Sequence, residues 1–134
     1  MLVRFFDREN ESNVLNGSLL DSDDALTIVL DTLRDRSPFI CELVGDNSYN
    51  LMIGVGGDSG CWCVQYSAAD GDLPYWMALG SASEEHREDS EFALGGTATP
   101  VSVRYCLSSE TARAVAVFFR QTGDRSPAVS WEEI

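Results

Sequence analysis

Apolar residues recur along this chain in two rhythms. Leu26, Val29, Leu30 and Leu33 fall at i, i+3, i+4 and i+7, the spacing of one helix face. Ser22 precedes them as a good N-cap, and Asp23 and Asp24 sit in the positive first turn. Arg34 and Arg36 suit the negative end, and Pro38 bars continuation. Ala112, Val115, Ala116 and Phe119 repeat the helical spacing near the other end. Ser108 is the expected cap there, Glu110 lies in the first turn, Gly123 suits the C′ position and Pro127 prevents resumption.

Between these helices the rhythm shortens to that of strands. Residues 39–44, 49–55 and 61–67 are β-branched or aromatic runs separated by Gly, Asp and Asn. Residues 56–60, Gly-Gly-Asp-Ser-Gly, read as a tight hairpin loop. Further strands are expected at 75–79, 91–94 and 101–107, with short additions at 1–6 and 128–131. Residues 7–18 are polar and contain the turn signal Asn16-Gly17. The order is helix, meander, helix. It predicts an α+β fold: an antiparallel sheet of about five to six strands, with an N-terminal and a C-terminal helix packed on it. Residues 1–134 read as a single domain, without internal repeat or linker.

Composition narrows the partners. Apolar residues make up 44% of the chain, enough for a core. Nine basic residues face 22 acidic ones, for a net charge of −13, and no lysine is present. Nucleic acid and anionic membranes are repelled by such a surface, whereas a basic protein is attracted and steered. Residues 1–6 are too short for a signal-peptide core, and no apolar run is long enough to span a bilayer. Cys41, Cys61, Cys63 and Cys106 match neither a disulfide framework nor a paired CxxC set. They read as reduced core residues, and the whole points to the cytoplasm. The sequons at Asn10 and Asn16 then carry no weight.

Catalytic patterns are incomplete. His86-Arg87-Glu88 fits the H-x-E half of a zinc deaminase signature, but the paired thiolates of the other half are missing. Cys61-Trp62-Cys63 places two thiols on one strand face without a second pair. Trp62, Val64 and Tyr66 take the opposite face, as in a central strand. Residues 54–60 are glycine-rich, yet they open a strand rather than a helix and lack a phosphate-binding lysine. No serine stands in G-x-S-x-G. No catalytic residue, metal or cofactor is expected. What remains is a cluster in which Asp70, Asp72, Glu84, Glu85, Glu88, Asp89 and Glu91 bracket Tyr75, Trp76 and Met77. Aromatic anchors ringed by charge have the make-up of a protein interface. Asp58 in the hairpin loop is a further candidate contact, as is the Glu132-Glu133 tail.

The second half of the chain carries a resemblance. Leu51-Met52-Ile53-Gly54 leads to Asp58-x-Gly60 and Val64-x-Tyr66. A helix with Ala112, Ala116 and Phe119 then runs into Thr122-Gly123-Asp124-Arg125-Ser126-Pro127, and the chain continues Val129-Ser130-Trp131-Glu132-Glu133. Over residues 49–134 this resembles the first-numbered immunity-protein family of bacterial polymorphic toxin systems. Its usual close is T-G-x-R-P followed by V-x-W with acids; Ser126 is a one-residue departure. The resemblance implies a non-enzymatic antitoxin that binds and blocks a toxin of the cytidine-deaminase fold. The end motif reads as structural rather than toxin-contacting, with Gly123 capping the helix and Trp131 packing back on the sheet.

Two other classes compete with that reading: an enzyme acting through His86, and a regulatory or scaffolding domain with an unrelated basic partner. A cognate deaminase toxin domain, itself basic, is the expected partner, with no direct contact to nucleic acid or membrane. Purified protein should therefore carry no stoichiometric zinc, and His86→Ala should still protect cells from the toxin. Stoichiometric zinc whose loss abolishes protection would reverse the reading.

Overall fold

In a computed structural model, residues 2–33, 39–56, 61–80, 90–94 and 97–134 are described. The two helical rhythms fold as expected. α1 spans Asp23–Leu33, and Leu26, Val29, Leu30 and Leu33 are its buried residues. The Ser22 hydroxyl accepts from the Ala25 amide at 3.1 Å, satisfying one of the amides that a helix start leaves open. α2 spans Ser109–Thr122 and buries Ala112, Val115, Ala116 and Phe119. Its Ser108 cap accepts from the Thr111 amide at 3.1 Å. Gly123 ends the helix at φ +74°, a left-handed conformation that costs glycine little. Arg34 and Arg36 lie outside the described residues.

The α+β class is borne out. The strands are β1 (Val3–Asp7), β2 (Phe39–Gly45), β3 (Tyr49–Val55), β4 (Cys63–Ala68), β5 (Trp76–Ala78), β6 (Ser90–Leu94), β7 (Thr97–Val101) and β8 (Trp131–Glu133). Among the described residues they form one sheet, in the order β7-β6-β2-β3-β4-β5-β8. β1 pairs with β2 outside that path, facing Cys41 to Gly45, while β6 joins β2 in parallel at Phe39. The other pairings are antiparallel. Eight strands exceed the expected five to six, because the N-terminal arm and the C-terminal tail both pair and residues 90–101 contribute two strands.

One expected strand is absent. Residues 101–107 do not run extended: after Val101 the chain tightens into a single 3-10 turn, Val103–Tyr105. The Tyr105 amide donates to the Ser102 carbonyl and the Cys106 amide to the Val103 carbonyl, both at 3.0 Å. Only Leu107 regains sheet pairing, exchanging two backbone hydrogen bonds with Trp62.

The reading of four reduced cysteines also needs correction. The return of the chain beside Trp62 brings Cys106 to Cys61, with Cα atoms 4.9 Å apart, and the two form a disulfide. A bond across 45 residues leaves no mark in local spacing. Cys41 and Cys63 are buried thiols, as expected. Burial pushes the Cys63 thiol up to about 12, which keeps it protonated and unreactive at neutral pH.

One face of the sheet is dry. Phe5, Leu43, Leu51, Ile53, Trp62 and Val64 pack beneath both helices in the main core. Among the described residues the opposite face carries only a small cluster of Ile40, Cys63 and Met77, flanked by Met52, Cys61, Val101 and Tyr105. Cys61 and Cys63 thus share one face and Trp62 takes the other, as strand alternation requires. Residues 7–18 form a polar loop around buried Asp7, whose carboxylate accepts from the Glu9 and Asn10 amides and the Asn13 side chain. No described helix is long and apolar enough to cross a membrane.

Leu30 and Phe119 carry the helix–sheet contact at 1% and 0% exposure. Truncating either to Ala should cost about 2–5 kcal/mol in denaturant unfolding. Unchanged midpoints in both variants would mean that other faces of α1 and α2 meet the sheet.

Candidate partner-binding site

Three segments converge at one end of the sheet: the turn at 46–48, the loop at 69–75 and the end of α2. The convergence follows from the α2 cap. The Gly123 carbonyl, freed by the end of the helix, accepts from the Asn47 side-chain amide at 2.8 Å and from the Tyr66 hydroxyl at 3.2 Å. The turn and β4 are thereby tied to one backbone atom. Burial and nearby Asp124 push the Tyr66 hydroxyl up to about 12, so it remains a donor at neutral pH.

Around this tie lies a groove of about 490 Å³, whose walls include Tyr49, Tyr66, Leu73, Trp76, Asp124 and Arg125. Tyr49 stacks on Tyr66 with ring centroids 5.0 Å apart. The Arg125 guanidinium lies 4.0 Å from the centroid of Trp76 and 5.9 Å from that of Tyr66. The floor is therefore built in and partly buried, while Leu73 is 72% exposed and Tyr49 41% exposed at the mouth. Acids stand around it: Asp124 in the wall, exposed Asp70 and Asp72 in the loop beside Leu73, and exposed Asp46 next to Asn47.

The cluster read from the sequence is only partly assembled here. Trp76 lines the groove and packs against the main core. Tyr75 is not among the groove's lining residues; its hydroxyl donates to the Gly71 carbonyl at 2.5 Å. Asp70 holds that loop by accepting from the Asp72 amide. Glu91 lies on β6, a strand at the opposite end of the sheet order from β5. Asp58, Glu84, Glu85, Glu88 and Asp89 lie outside the described residues, as does His86. Glu132 is engaged with Arg104 and Tyr105, and Glu133 stands opposite Trp76. Among the described residues no group of three His, Cys, Asp or Glu could hold a metal.

A profile described as Immunity protein Imm1 matches residues 16–133, nearly the whole chain. The chain belongs to the Imm1 immunity protein family. No curated protein and no solved structure matches it. Family membership gives this Imm1 chain an immunity role, with a cognate toxin as its partner, and speaks for an inhibitor rather than an enzyme.

The groove also contains residues that the sequence did not single out as a site. Asn47, Tyr49 and Tyr66 read only as strand and turn, and Arg125 as part of a structural motif. Most of that motif is structural. Ser126 is 3% exposed; its hydroxyl accepts from the Ala128 amide and its carbonyl from the Trp131 indole at 2.9 Å. The residue that departs from the family pattern is thus absorbed into the turn. Trp131 packs on the core, edge-on to Tyr66.

The cap organises the groove, so Gly123→Ala should cost about 1–2 kcal/mol, the penalty of a Cβ in left-handed backbone. Urea unfolding measures it. An unchanged midpoint would mean that α2 ends differently.

Proposed function

We propose that this Imm1 protein neutralises a deaminase-fold toxin, one acting on cytosine in DNA, by covering its active-site mouth. Membership of an immunity family, together with a charge of −13, carries the reading. An enzyme that acts on nucleic acid must present a basic substrate groove. An acidic plug finds such a groove at long range and is then held by desolvated aromatics. The acids between Asp70 and Glu91 and the hairpin acid Asp58 supply the steering in this proposal, while Trp76 and Tyr75 supply the hold.

Four described arginines are already spent inside the molecule. Arg8 pairs with Glu42, Arg104 with Glu132, Arg113 with Asp31 and Arg120 with Asp23. They cannot offset the exposed acids around the groove. The proposal places the protein in the cytoplasm, where nucleic acid is the toxin's target.

The test is kinetic. A Glu84→Lys/Glu85→Lys/Glu88→Lys variant should associate with the toxin domain about tenfold more slowly at low salt and lose much of the salt dependence. Trp76→Ala or Tyr75→Ala should instead speed dissociation, by about 2 kcal/mol for a central anchor. Each variant is first shown to fold. An untouched on-rate would exclude steering by this loop. Normal binding by both aromatic variants would move the interface elsewhere.

A further inference from the structure

We infer that the groove beside α2 is a socket for a carboxylate of the toxin, with Arg125 as its recognition group. The inference rests on the immunity reading and names what that interface recognises at its centre.

The argument begins with Arg125 itself. Arg4 donates to the Gly17 carbonyl, and Arg8, Arg104, Arg113 and Arg120 are held by carboxylates. No described carboxylate or carbonyl accepts from the guanidinium of Arg125. It is nonetheless fixed in place. Trp76 lies under it, Tyr66 stands beside it, and its own backbone amide donates to Asp124 at 2.7 Å. A stacked guanidinium keeps its in-plane N–H donors available while losing rotational freedom. Those donors form a planar fork that matches a carboxylate. Arg125 lines a groove of about 490 Å³, room for one or two residues of a partner.

The surroundings narrow the occupant. Tyr, Trp and Arg are the side chains that dominate binding energy at interfaces, and all three meet here. Asp70, Asp72 and Asp124 stand close by, so a free anion would be repelled. A carboxylate carried on an otherwise basic protein surface would not be: its basic neighbours meet those acids while it meets Arg125. The occupant is therefore an Asp or Glu side chain of the toxin, set among basic residues.

The experiment uses the full chain and the toxin domain it protects against. Arg125→Ala should raise Kd about 30-fold, mostly through faster dissociation, and Arg125→Lys should recover little of it, because an ammonium has no fork. Melting temperatures are compared throughout. Leu73→Ser tests the groove mouth at a residue that is 72% exposed, and should weaken binding several-fold. Double-mutant cycles then pair Arg125→Ala with Ala at each surface Asp and Glu of the toxin. One acid should couple to Arg125 by at least tenfold. A wild-type chain that does not bind the toxin overturns the immunity reading itself. A wild-type chain that binds, while Arg125→Ala and Leu73→Ser bind equally well or no toxin acid couples, overturns the socket alone.

Discussion

Tyr66 stands where the core of this protein ends and its groove begins. Its ring meets Phe119 edge-on at 6.1 Å and Trp131 edge-on at 6.4 Å, both on the core side. Tyr49 stacks on it towards solvent. Its hydroxyl holds the Gly123 carbonyl, the atom at which α2 stops. One side chain on the central strand β4 thereby fixes the end of α2, the placement of the Trp131 tail and the floor on which Arg125 lies. Aromatic contacts of this kind are each modest, on the order of 1 kcal/mol beyond burial. Their consequence is geometric: the groove inherits the rigidity of the core.

The rest of the described architecture follows from setting both described helices, α1 and α2, on one wide sheet. Both helices cover the same face, because that face holds Trp62, Leu51, Ile53 and Val64. Among the described residues the other face has little apolar cover and carries polar ties instead. Arg8, Glu42 and Asn50 form one network there, and Arg104, Tyr105 and Glu132 another. The Cys61–Cys106 bond fastens the strap that crosses that side before the chain enters α2. Arginines used in this way hold the fold at the expense of surface charge balance. The acids left over give the molecule its long-range field.

Signals that lie within one short window of the sequence are legible in it, and those that depend on distant partners are not. Both helices were legible to within a residue or two, since cap, face and stop lie within one short window. Ser22, Ser108 and Gly123 each do in the structure what their position announces. Residues 101–107 misled because Val101, Val103 and Tyr105 alternate like a strand, whereas backbone bonds from 105 and 106 curl the segment. The partnership of Cys61 with Cys106 depends on that curl, so it could not be read before it. Of the candidate site, Trp76 was visible as an aromatic among acids. Arg125 was not visible as a binding group, because its role arises only when Trp76, 49 positions earlier, lies beneath it. The same distance hid Tyr49 and Asn47.

An arginine at the centre of an acidic inhibitor has a physical logic. Long-range attraction between an acidic protein and a basic one is strong but undiscriminating, since any basic surface qualifies. Register and partner choice have to come from short-range groups that are costly to bury unmatched. A guanidinium stacked on Trp76 is such a group. Closing an interface over it without an acceptor strips its donors of water and returns nothing, a loss of several kcal/mol for a charged group. Closing the interface with a carboxylate in the fork restores those bonds. In the interface proposed here the acids around the groove would set how fast partners arrive, and Arg125 which of them stay. Tyr66 links the two, because the residue that anchors the groove to the core is also one of the rings beside which the guanidinium lies.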